Sequence, residues 1–275
     1  MNGQTMKLIG KIISTFCIGF AMVEFTSGAF ANDDALPEHA HGSLECLFGP
    51  MCSGKSSYLL RTAESLQDKG ITPVVLTGSA HNGGNISSRA PGDESIPAVM
   101  VSDGTNVDEL EDALEENAWV VVDESQFLVK EHINALFRFV NNGGHVIFAG
   151  LLHDSDGHVW PTTQYILVNM IQLDPGTNLA VWYCFAECYV RGCDKSATHT
   201  ARYDEGKRYF NPPGESSVCI GTTMFEAVCS NHFKCDLRAK KAPEEIAAFG
   251  MCRYHIEMHN QKTWEQEVNA LISMA

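Results

Sequence analysis

From residue 43 onward, apolar runs of strand length alternate with stretches whose apolar residues recur at helical spacing. The apolar runs predict buried strands at Ser43–Phe48, Trp119–Val122 and His145–Ala149. Residues 57–69 and 133–140 each place apolar side chains on one face, which predicts helices that end near the glycines following them. This alternation is typical of an α/β fold in which helices cover a mainly parallel sheet.

The pattern changes near residue 178, where short β-like runs and cysteines replace the long helices. We therefore predict two folded parts, an α/β part at residues 43–177 and a smaller, cysteine-rich β part at residues 178–240. Residues 241–275 carry an acidic, amphipathic pattern, which predicts a helical tail.

Residues 1–42 differ from the rest of the chain, and we leave them out of the predicted fold. A basic start at 6–11, an apolar run at 12–23 and an Ala-x-Ala tripeptide at 29–31 have the layout of a secretory signal peptide. The apolar run is too short to predict stable membrane insertion. Two interpretations stay open: an exported protein, or an N-terminal extension of a cytoplasmic protein.

A phosphate-binding pattern, G-x-x-x-x-G-K-[ST], occupies residues 49–56. It follows a predicted strand and opens a predicted helix, so that backbone N–H groups and the helix N-terminus converge on one anion site. The lysine would reach the β- and γ-phosphates of ATP, and the last serine would offer its hydroxyl to Mg²⁺. The residues assigned to ATP with Mg²⁺ are Gly49, Pro50, Met51, Cys52, Ser53, Gly54, Lys55 and Ser56.

A second part of the nucleotide site is predicted where the strand at 119–122 ends at two acids, Asp123 and Glu124. An acid at the end of an apolar strand is the Walker-B arrangement, so Asp123 would hold Mg²⁺ directly or through water. Glu124 would project near the γ-phosphate, where a carboxylate can take a proton from a substrate hydroxyl. The pair indicates phosphoryl transfer with Glu124 as the catalytic base.

The charge of the chain limits the classes of partner. The formal net charge is −15. Contacts with the phosphates of nucleic acids need clustered Lys and Arg, so we predict no nucleic-acid partner. An acidic chain is compatible with a protein that neutralises one nucleotide locally, through a few cations and Mg²⁺.

The distribution of cysteines favours a metal site over a disulfide scaffold. The chain has 10 cysteines, and most of them lie between residues 184 and 235. Residues 229–232 form a C-x-x-H pair, which fits half of a tetrahedral Zn²⁺ site with N and S ligands. The other half stays open among Cys184, Cys188 and Cys193, with Cys235 as a further alternative and buried free thiols as the competing interpretation.

Together these stretches resemble the type II, zinc-containing thymidine kinases. The resemblance rests on Gly-Pro-Met-x-Ser-Gly-Lys-Ser at 49–56, Asp-Glu-x-Gln-Phe at 123–127 and the late Cys/His cluster. It implies a P-loop NTPase fold of the RecA-like kind, with a parallel sheet flanked by helices and a small zinc-binding, β-rich lasso domain. It also implies transfer of the γ-phosphate of ATP to the 5′-hydroxyl of thymidine or deoxyuridine, a homotetramer and a cytoplasmic location.

The resemblance also implies roles for individual residues. Glu124 would act as the general base on the 5′-hydroxyl. The residues implied to contact the nucleoside are Met51, Phe127, Trp160, Thr200 and Phe225. The residues implied to bind a structural Zn²⁺ are Cys188, Cys193, Cys229 and His232.

Several positions depart from the family pattern. The flexible loop reads Ala-His-Asn at 80–82, where the family commonly carries an Asp-Arg pair, and Arg89 is the candidate substitute. Trp160 stands in place of a phenylalanine, and Phe225 in place of a tyrosine. Two alternative functions therefore stay open: a P-loop ATPase of another class, such as a nucleic-acid motor, and a catalytically weakened or exported relative.

Overall fold

The structure is a computed structural model of the chain, and it describes residues 41–78, 84–88, 95–115, 117–212, 224–237, 239–241 and 252–256. The chain divides into two units, residues 1–38 and 39–275, and all described residues belong to the second. The signal-like segment, the Ala-His-Asn stretch at 80–82 and Arg89 lie outside the described residues.

Strands and helices follow one another much as the sequence pattern predicts. The described strands are β1 (Ser43–Phe48), β2 (Val74–Thr77), β3 (Asn85–Ile86), β4 (Ile96–Pro97), β5 (Val99–Met100), β6 (Trp119–Asp123), β7 (His145–Gly150), β8 (Asn178–Glu187), β9 (Ser196–Ala197), β10 (His199–Asp204), β11 (Lys207–Arg208), β12 (Met224–Val228) and β13 (Cys252–Ile256). The described α-helices are α1 (Lys55–Asp68), α2 (Val107–Glu115), α3 (Lys130–Asn141) and α4 (Pro161–Asn169). Short 3₁₀ turns occupy Ser125–Phe127 and Met170–Gln172.

A large, mainly parallel sheet forms the centre of the described chain. Its strand order is β13-β8-β1-β7-β6-β2-β5, and β9 also pairs with β8. The five pairings from β8 to β5 are parallel, whereas β13 and β9 run antiparallel to β8. The predicted α/β fold with a parallel sheet flanked by helices is therefore confirmed.

Helices cover both faces of this sheet. Successive side chains of its buried strands point to opposite sides, so each strand contributes apolar residues to both faces. On one face, Leu59 and Leu60 of α1 belong to the same apolar cluster as Val121 of β6. On the other face, α2, α3 and α4 bury their apolar sides against strand residues such as Val120 and Phe148. Side chains are buried on both faces, which explains why these strands read as unbroken apolar runs.

A smaller antiparallel sheet, in the order β11-β10-β12, forms within the cysteine-rich part of the chain. The predicted boundary near residue 178 coincides with the start of β8, yet β8 pairs with β1 in the large sheet. Parallel pairing between strands that are distant in the chain leaves no local pattern, so the sequence could not assign β8 to its sheet. The domain boundaries themselves stay a prediction.

The helical tail predicted for residues 241–275 is wrong for residues 252–256, which form β13. β13 pairs antiparallel with β8. The N–H and C=O groups along that edge of β8 would otherwise need other partners, and this requirement outweighs a local helical pattern. Apart from residue 241, the rest of the tail lies outside the described residues.

Among the helices that the structure describes, none combines the length and apolar character that crossing a bilayer requires.

Candidate active site and metal-binding cluster

The phosphate-loop residues connect the carboxyl end of β1 to α1, which begins at Lys55 rather than at Ser57 as the sequence pattern predicts. Cys52 and Gly54 both have left-handed backbone conformations, with φ of 60° and 78°. Left-handed residues inside a loop turn successive N–H groups toward one concave side, which suits an anion. Glycine adopts this conformation without a steric penalty, whereas Cys52 must be held in it by its surroundings.

The ammonium group of Lys55 lies over this loop. Its Nζ donates to the carbonyl oxygens of Pro50 at 2.6 Å and Gly49 at 3.3 Å, and to Ser53 Oγ at 3.2 Å. The side chain is buried, so little water competes for these bonds. The loop therefore holds a cation on its own oxygen atoms, at the place where the sequence predicts phosphate binding.

A hydrogen bond joins the loop to β6, because Ser56 Oγ donates to Asp123 Oδ2 at 2.9 Å. Burial is the main reason why the pKa of Asp123 is raised to about 7, and the neighbouring charge of Glu124 adds to the increase. The hydrogen bonds from Ser56 and from the Glu124 backbone N–H oppose it, as does the charge of Lys55. A divalent cation at this carboxylate would favour its ionised form.

Glu124 follows β6 in the left-handed region, with φ 53° and ψ 39°. A non-glycine residue in this conformation costs of order 1–3 kcal/mol, and such residues concentrate at functional sites. Its carboxylate accepts a hydrogen bond from Gln126 Nε2, while Gln126 Oε1 accepts from the backbone N–H of Leu151 at 2.9 Å. No role for Gln126 follows from the sequence pattern, although the residue is part of the Asp-Glu-x-Gln-Phe stretch.

The residues predicted to contact the nucleoside form two close pairs and one separate position. Phe127 and Trp160 meet edge to face, with ring centroids 5.4 Å apart. Thr200 Oγ1 accepts a hydrogen bond from the backbone N–H of Met51 at 2.9 Å, which joins the small sheet to the phosphate loop. On β12, Ala227 lies opposite Thr200, and Phe225 lies opposite Arg202. That register places Phe225 on the face of the small sheet that carries Thr200.

The four residues implied as zinc ligands lie together, and their ligand atoms are all within 4.8 Å of one another. His232 Nδ1 lies 3.4 Å from Cys188 Sγ and 3.3 Å from Cys229 Sγ, and Cys193 Sγ lies 3.9 Å from Cys229 Sγ. Burial raises the pKa of the Cys188 thiol to about 12, so a cation is needed to stabilise its thiolate. Three sulfurs and one imidazole in this arrangement could hold a metal ion.

The two alternative ligands considered from the sequence are not part of this cluster. Cys184 is buried in β8, where its carbonyl oxygen lies against Gly49 of the phosphate loop. Cys235 is exposed, and its Sγ donates to the carbonyl oxygen of Asn231 at 3.4 Å. Spacing along the chain could not separate these cysteines, because the cluster is assembled from two distant turns.

A contact that the sequence did not predict links the metal-binding cluster to the segment around Ser155. Arg208 Nε donates to the carbonyl oxygen of Phe233 at 2.6 Å, and Phe233 follows His232. The same guanidinium donates to the carbonyl oxygen of Ser155 and stacks over the ring of Phe210, 3.9 Å from its centroid. Contacts between residues so far apart in the chain leave no sequence signal.

The parallel sheet, the loop at the end of β1 and the acid pair at the end of β6 define a P-loop nucleotide-binding protein. A sequence profile described as "Thymidine kinase" matches residues 42–233. The chain belongs to the thymidine kinase family, which confirms the predicted resemblance.

The chain is similar to bacterial thymidine kinases over most of its length. It is 29% identical over 197 residues to the thymidine kinase of Salmonella paratyphi A, an alignment that covers 68% of this chain and 88% of the relative. It is 28% identical over 197 residues to that of Escherichia coli K12, with the same coverage of 68% and 88%. The low identity marks this chain as a diverged member.

Among solved structures, the ATPase DotB of Legionella pneumophila is similar in part. It is 16% identical, and the match covers 58% of this chain and 47% of DotB with a TM-score of 0.32. A similarity this low has no bearing on function.

Proposed function

We propose that this protein is an ATP-dependent thymidine kinase, which transfers the γ-phosphate of ATP to the 5′-hydroxyl of thymidine or deoxyuridine. The observation that carries the proposal is the 2.9 Å hydrogen bond between Ser56 and Asp123, which joins a phosphate loop to an acid pair. Family membership supports a nucleoside as the acceptor. Such an activity would supply a precursor for DNA synthesis by salvage of nucleosides.

ATP would bind with its phosphates on residues 49–56. In this proposal the ammonium of Lys55 leaves the carbonyl oxygens of Gly49 and Pro50 and takes the β- and γ-phosphate oxygens instead. Ser56 and Asp123 would hold Mg²⁺, an ion that neutralises charge on those phosphates when it is bound. Both groups are oxygen donors, which Mg²⁺ prefers.

Glu124 would act as the general base. Its carboxylate takes the proton of the 5′-hydroxyl while the hydroxyl oxygen forms a bond to the γ-phosphorus. The bond from that phosphorus to the β–γ bridging oxygen breaks, and ADP leaves. Gln126, which donates to this carboxylate, leaves the second carboxylate oxygen available for the proton.

The nucleoside would lie between the two pairs described above. Phe127 and Trp160 offer aromatic surface for the base, and Met51 and Thr200 lie where the phosphate loop meets the small sheet. Phe225, on the same face as Thr200, would complete the contacts. Met51 belongs to the phosphate loop as well, so this pocket would bring the acceptor close to the donor phosphate.

The cluster Cys188, Cys193, Cys229 and His232 would hold a structural Zn²⁺. Four protein donors leave no open position for a substrate or a water, which is the pattern of structural zinc sites. The ion would fix the turn at 229–232 to the segment 188–193 and so stabilise the small sheet that presents Thr200.

A cytoplasmic location is part of the proposal, because a kinase needs a supply of ATP. The alternative, export, depends on residues 6–31, which lie outside the described residues. Mass spectrometry of the mature N-terminus separates the two: a mature chain that starts at Asn32 would contradict a cytoplasmic location. A homotetramer stays an expectation from the family resemblance.

The proposed activity is tested with purified protein, ATP, Mg²⁺ and thymidine, by chromatographic detection of thymidine monophosphate. Product is expected with the unsubstituted protein and is lost in Lys55→Ala. A protein that binds ATP but forms no product would contradict the proposal and favour a catalytically weakened relative. ATP hydrolysis that DNA stimulates, without nucleoside phosphorylation, would favour a nucleic-acid motor instead.

A further inference from the structure

We propose that Gln126 is a positioning residue that holds the carboxylate of Glu124 and ties it to the wall of the nucleoside pocket. This inference rests on the proposed function and adds a residue that acts through Glu124. Gln126 is 3% exposed, and both ends of its amide group are engaged. Nε2 donates to Glu124 Oε2, and Oε1 accepts from the backbone N–H of Leu151 at 2.9 Å.

The backbone of Glu124 is fixed independently of its side chain. The carbonyl oxygen of Glu124 accepts from the N–H of Phe127 at 3.1 Å, which closes the 3₁₀ turn. Just before it, the carbonyl oxygen of Asp123 accepts from the N–H of Gly78 at 3.0 Å. A glutamate side chain still has several free torsions on such a backbone, and the bond from Gln126 restricts them.

The other end of the Gln126 amide reaches the segment that carries Trp160. The carbonyl oxygen of Leu151 accepts from Thr163 Oγ1 at 2.7 Å, and the N–H of Trp160 donates to the carbonyl oxygen of Leu152 at 3.0 Å. A continuous set of hydrogen bonds therefore runs from the Glu124 carboxylate through Gln126 to the first turn of α4.

The backbone approaches the Gln126 amide closely at Gly150. A Cβ on Gly150 would lie 2.8 Å from Gln126 Oε1 and 2.5 Å from Ser125 Oγ, so only glycine leaves room for this arrangement. The amide is therefore enclosed on that side as well as hydrogen-bonded. Its surroundings give Gln126 one orientation, in which the N–H donor points to Glu124.

The consequence for the reaction is a fixed distance between the base and the acceptor hydroxyl. Misplacement of a reacting group by about 1 Å can cost roughly 10²-fold in rate. If the base and the pocket wall are set by the same amide, the 5′-hydroxyl of a bound nucleoside meets the carboxylate without a search of side-chain conformations. Gln126 would thus contribute to kcat although it does not touch the substrate.

Two substitutions separate the effects of the two hydrogen bonds made by the Gln126 amide. Gln126→Glu keeps an oxygen for the Leu151 N–H but replaces the donor to Glu124 with a second carboxylate oxygen. We expect kcat to fall about 10- to 100-fold, with KM for thymidine unchanged within about twofold. Gln126→Leu removes both interactions, so we expect a similar loss of kcat together with a several-fold higher KM.

A double-substitution cycle tests whether Gln126 acts through Glu124. In the Glu124→Gln background, adding Gln126→Glu restores a hydrogen bond with donor and acceptor exchanged, so residual kcat should change less than about threefold. A merely structural role would lower kcat by the same factor in both backgrounds. That equality, or a higher KM with unchanged kcat in Gln126→Glu, would overturn the inference.

Gln172 provides the matched control, because it is exposed and its Nε2 donates to Asn169 Oδ1, three residues before it, at 3.1 Å. Gln172→Leu should leave kcat and KM unchanged, and thermal unfolding of each variant reports whether it folds. If the unsubstituted protein forms no thymidine monophosphate, the proposed function fails, and this inference fails with it. If product forms and Gln126→Glu has normal kcat, only the inference fails.

Discussion

At the scale of single residues, burial and Mg²⁺ binding favour opposite protonation states of Asp123. Asp123 is 4% exposed, and burial is the main reason why its pKa is raised to about 7. The folded state therefore prefers the protonated acid, whereas binding of Mg²⁺ needs the carboxylate. Nucleotide binding with Mg²⁺ should accordingly strengthen as pH rises through about 7.

The effect of burial on Asp123 can be tested by measuring how Asp123→Asn changes the free energy of unfolding at different pH values. The raised pKa means that ionised Asp123 destabilises the fold, and this cost grows as pH rises from about 4 to about 7 and then stays level. The variant removes the cost, so its free energy of unfolding should exceed that of the unsubstituted protein by roughly 2–3 kcal/mol more at pH 8 than at pH 4.5. Urea unfolding at both pH values measures it.

Asp174→Asn is the control for Asp123→Asn, because it makes the same change of side chain at an exposed position. The Asp123→Asn variant should also lose Mg²⁺-dependent turnover. A stability difference that is equal at pH 4.5 and pH 8 would contradict the electrostatic account of Asp123.

Glu124→Gln tests the assignment of the base. The amide keeps the size of the side chain and cannot take a proton, so kcat should fall about 10²- to 10⁴-fold. Lys55 and Ser56, which lie on the phosphate loop, are unchanged, so ATP affinity should stay within about twofold. Steady-state kinetics and fluorescence titration with a nucleotide analogue measure the two quantities. An unchanged kcat would remove Glu124 from the mechanism.

At the scale of elements, the Met51 N–H of the phosphate loop donates a hydrogen bond to Thr200 Oγ1 of β10. Thr200→Val keeps the shape of the side chain and removes the acceptor, which leaves the Met51 N–H without this partner. The cost is about 1 kcal/mol, so we expect KM for thymidine to rise roughly fivefold. Thr200→Ser keeps the hydroxyl and should bind thymidine normally. Equal KM values for both variants would show that the bond does not position Met51.

The elements also show where sequence reasoning succeeds and where it stops. Strands β1, β6 and β7 were predictable because both of their faces are buried, and helices α1 and α3 because each buries one stripe. β13 was not predictable as a strand, because its partner β8 lies far away in the chain. In the sequence, the small sheet was indicated only by short β-like runs in place of long helical patterns, since its strands are short.

The same limit applies to the candidate site. The phosphate loop and the acid pair are compact motifs whose chemistry depends on spacing along the chain, so sequence could place them. Gln126 and Arg208 form hydrogen bonds with Leu151 and Ser155, which only the fold brings near, and no spacing along the chain predicts these partners. The four residues of the metal-binding cluster were predicted through the family resemblance, and the spacing alone left Cys184 and Cys235 open.

At the scale of the whole molecule, the metal-binding cluster packs against the small sheet, because Cys188 and Cys229 belong to the same apolar cluster as Ala201 and Tyr203 of β10. We expect one Zn²⁺ per chain by elemental analysis. Removal of the metal with a chelator should lower the midpoint of thermal unfolding by roughly 5–10 °C, because the cysteines and the histidine lose the ion that links them. Cys188→Ser should reproduce the effect, whereas Cys235→Ser, outside the cluster, should keep full metal content. Full stability after complete metal removal would contradict a structural role.

In the proposed reaction the γ-phosphate of ATP goes to a nucleoside. The most direct test measures ADP and thymidine monophosphate together, in reactions of the unsubstituted protein with and without thymidine. A kinase of this kind should form the two products in equal amounts when thymidine is present, and almost no ADP when it is absent. ADP formation at the same rate in both reactions, with no thymidine monophosphate, would contradict the account.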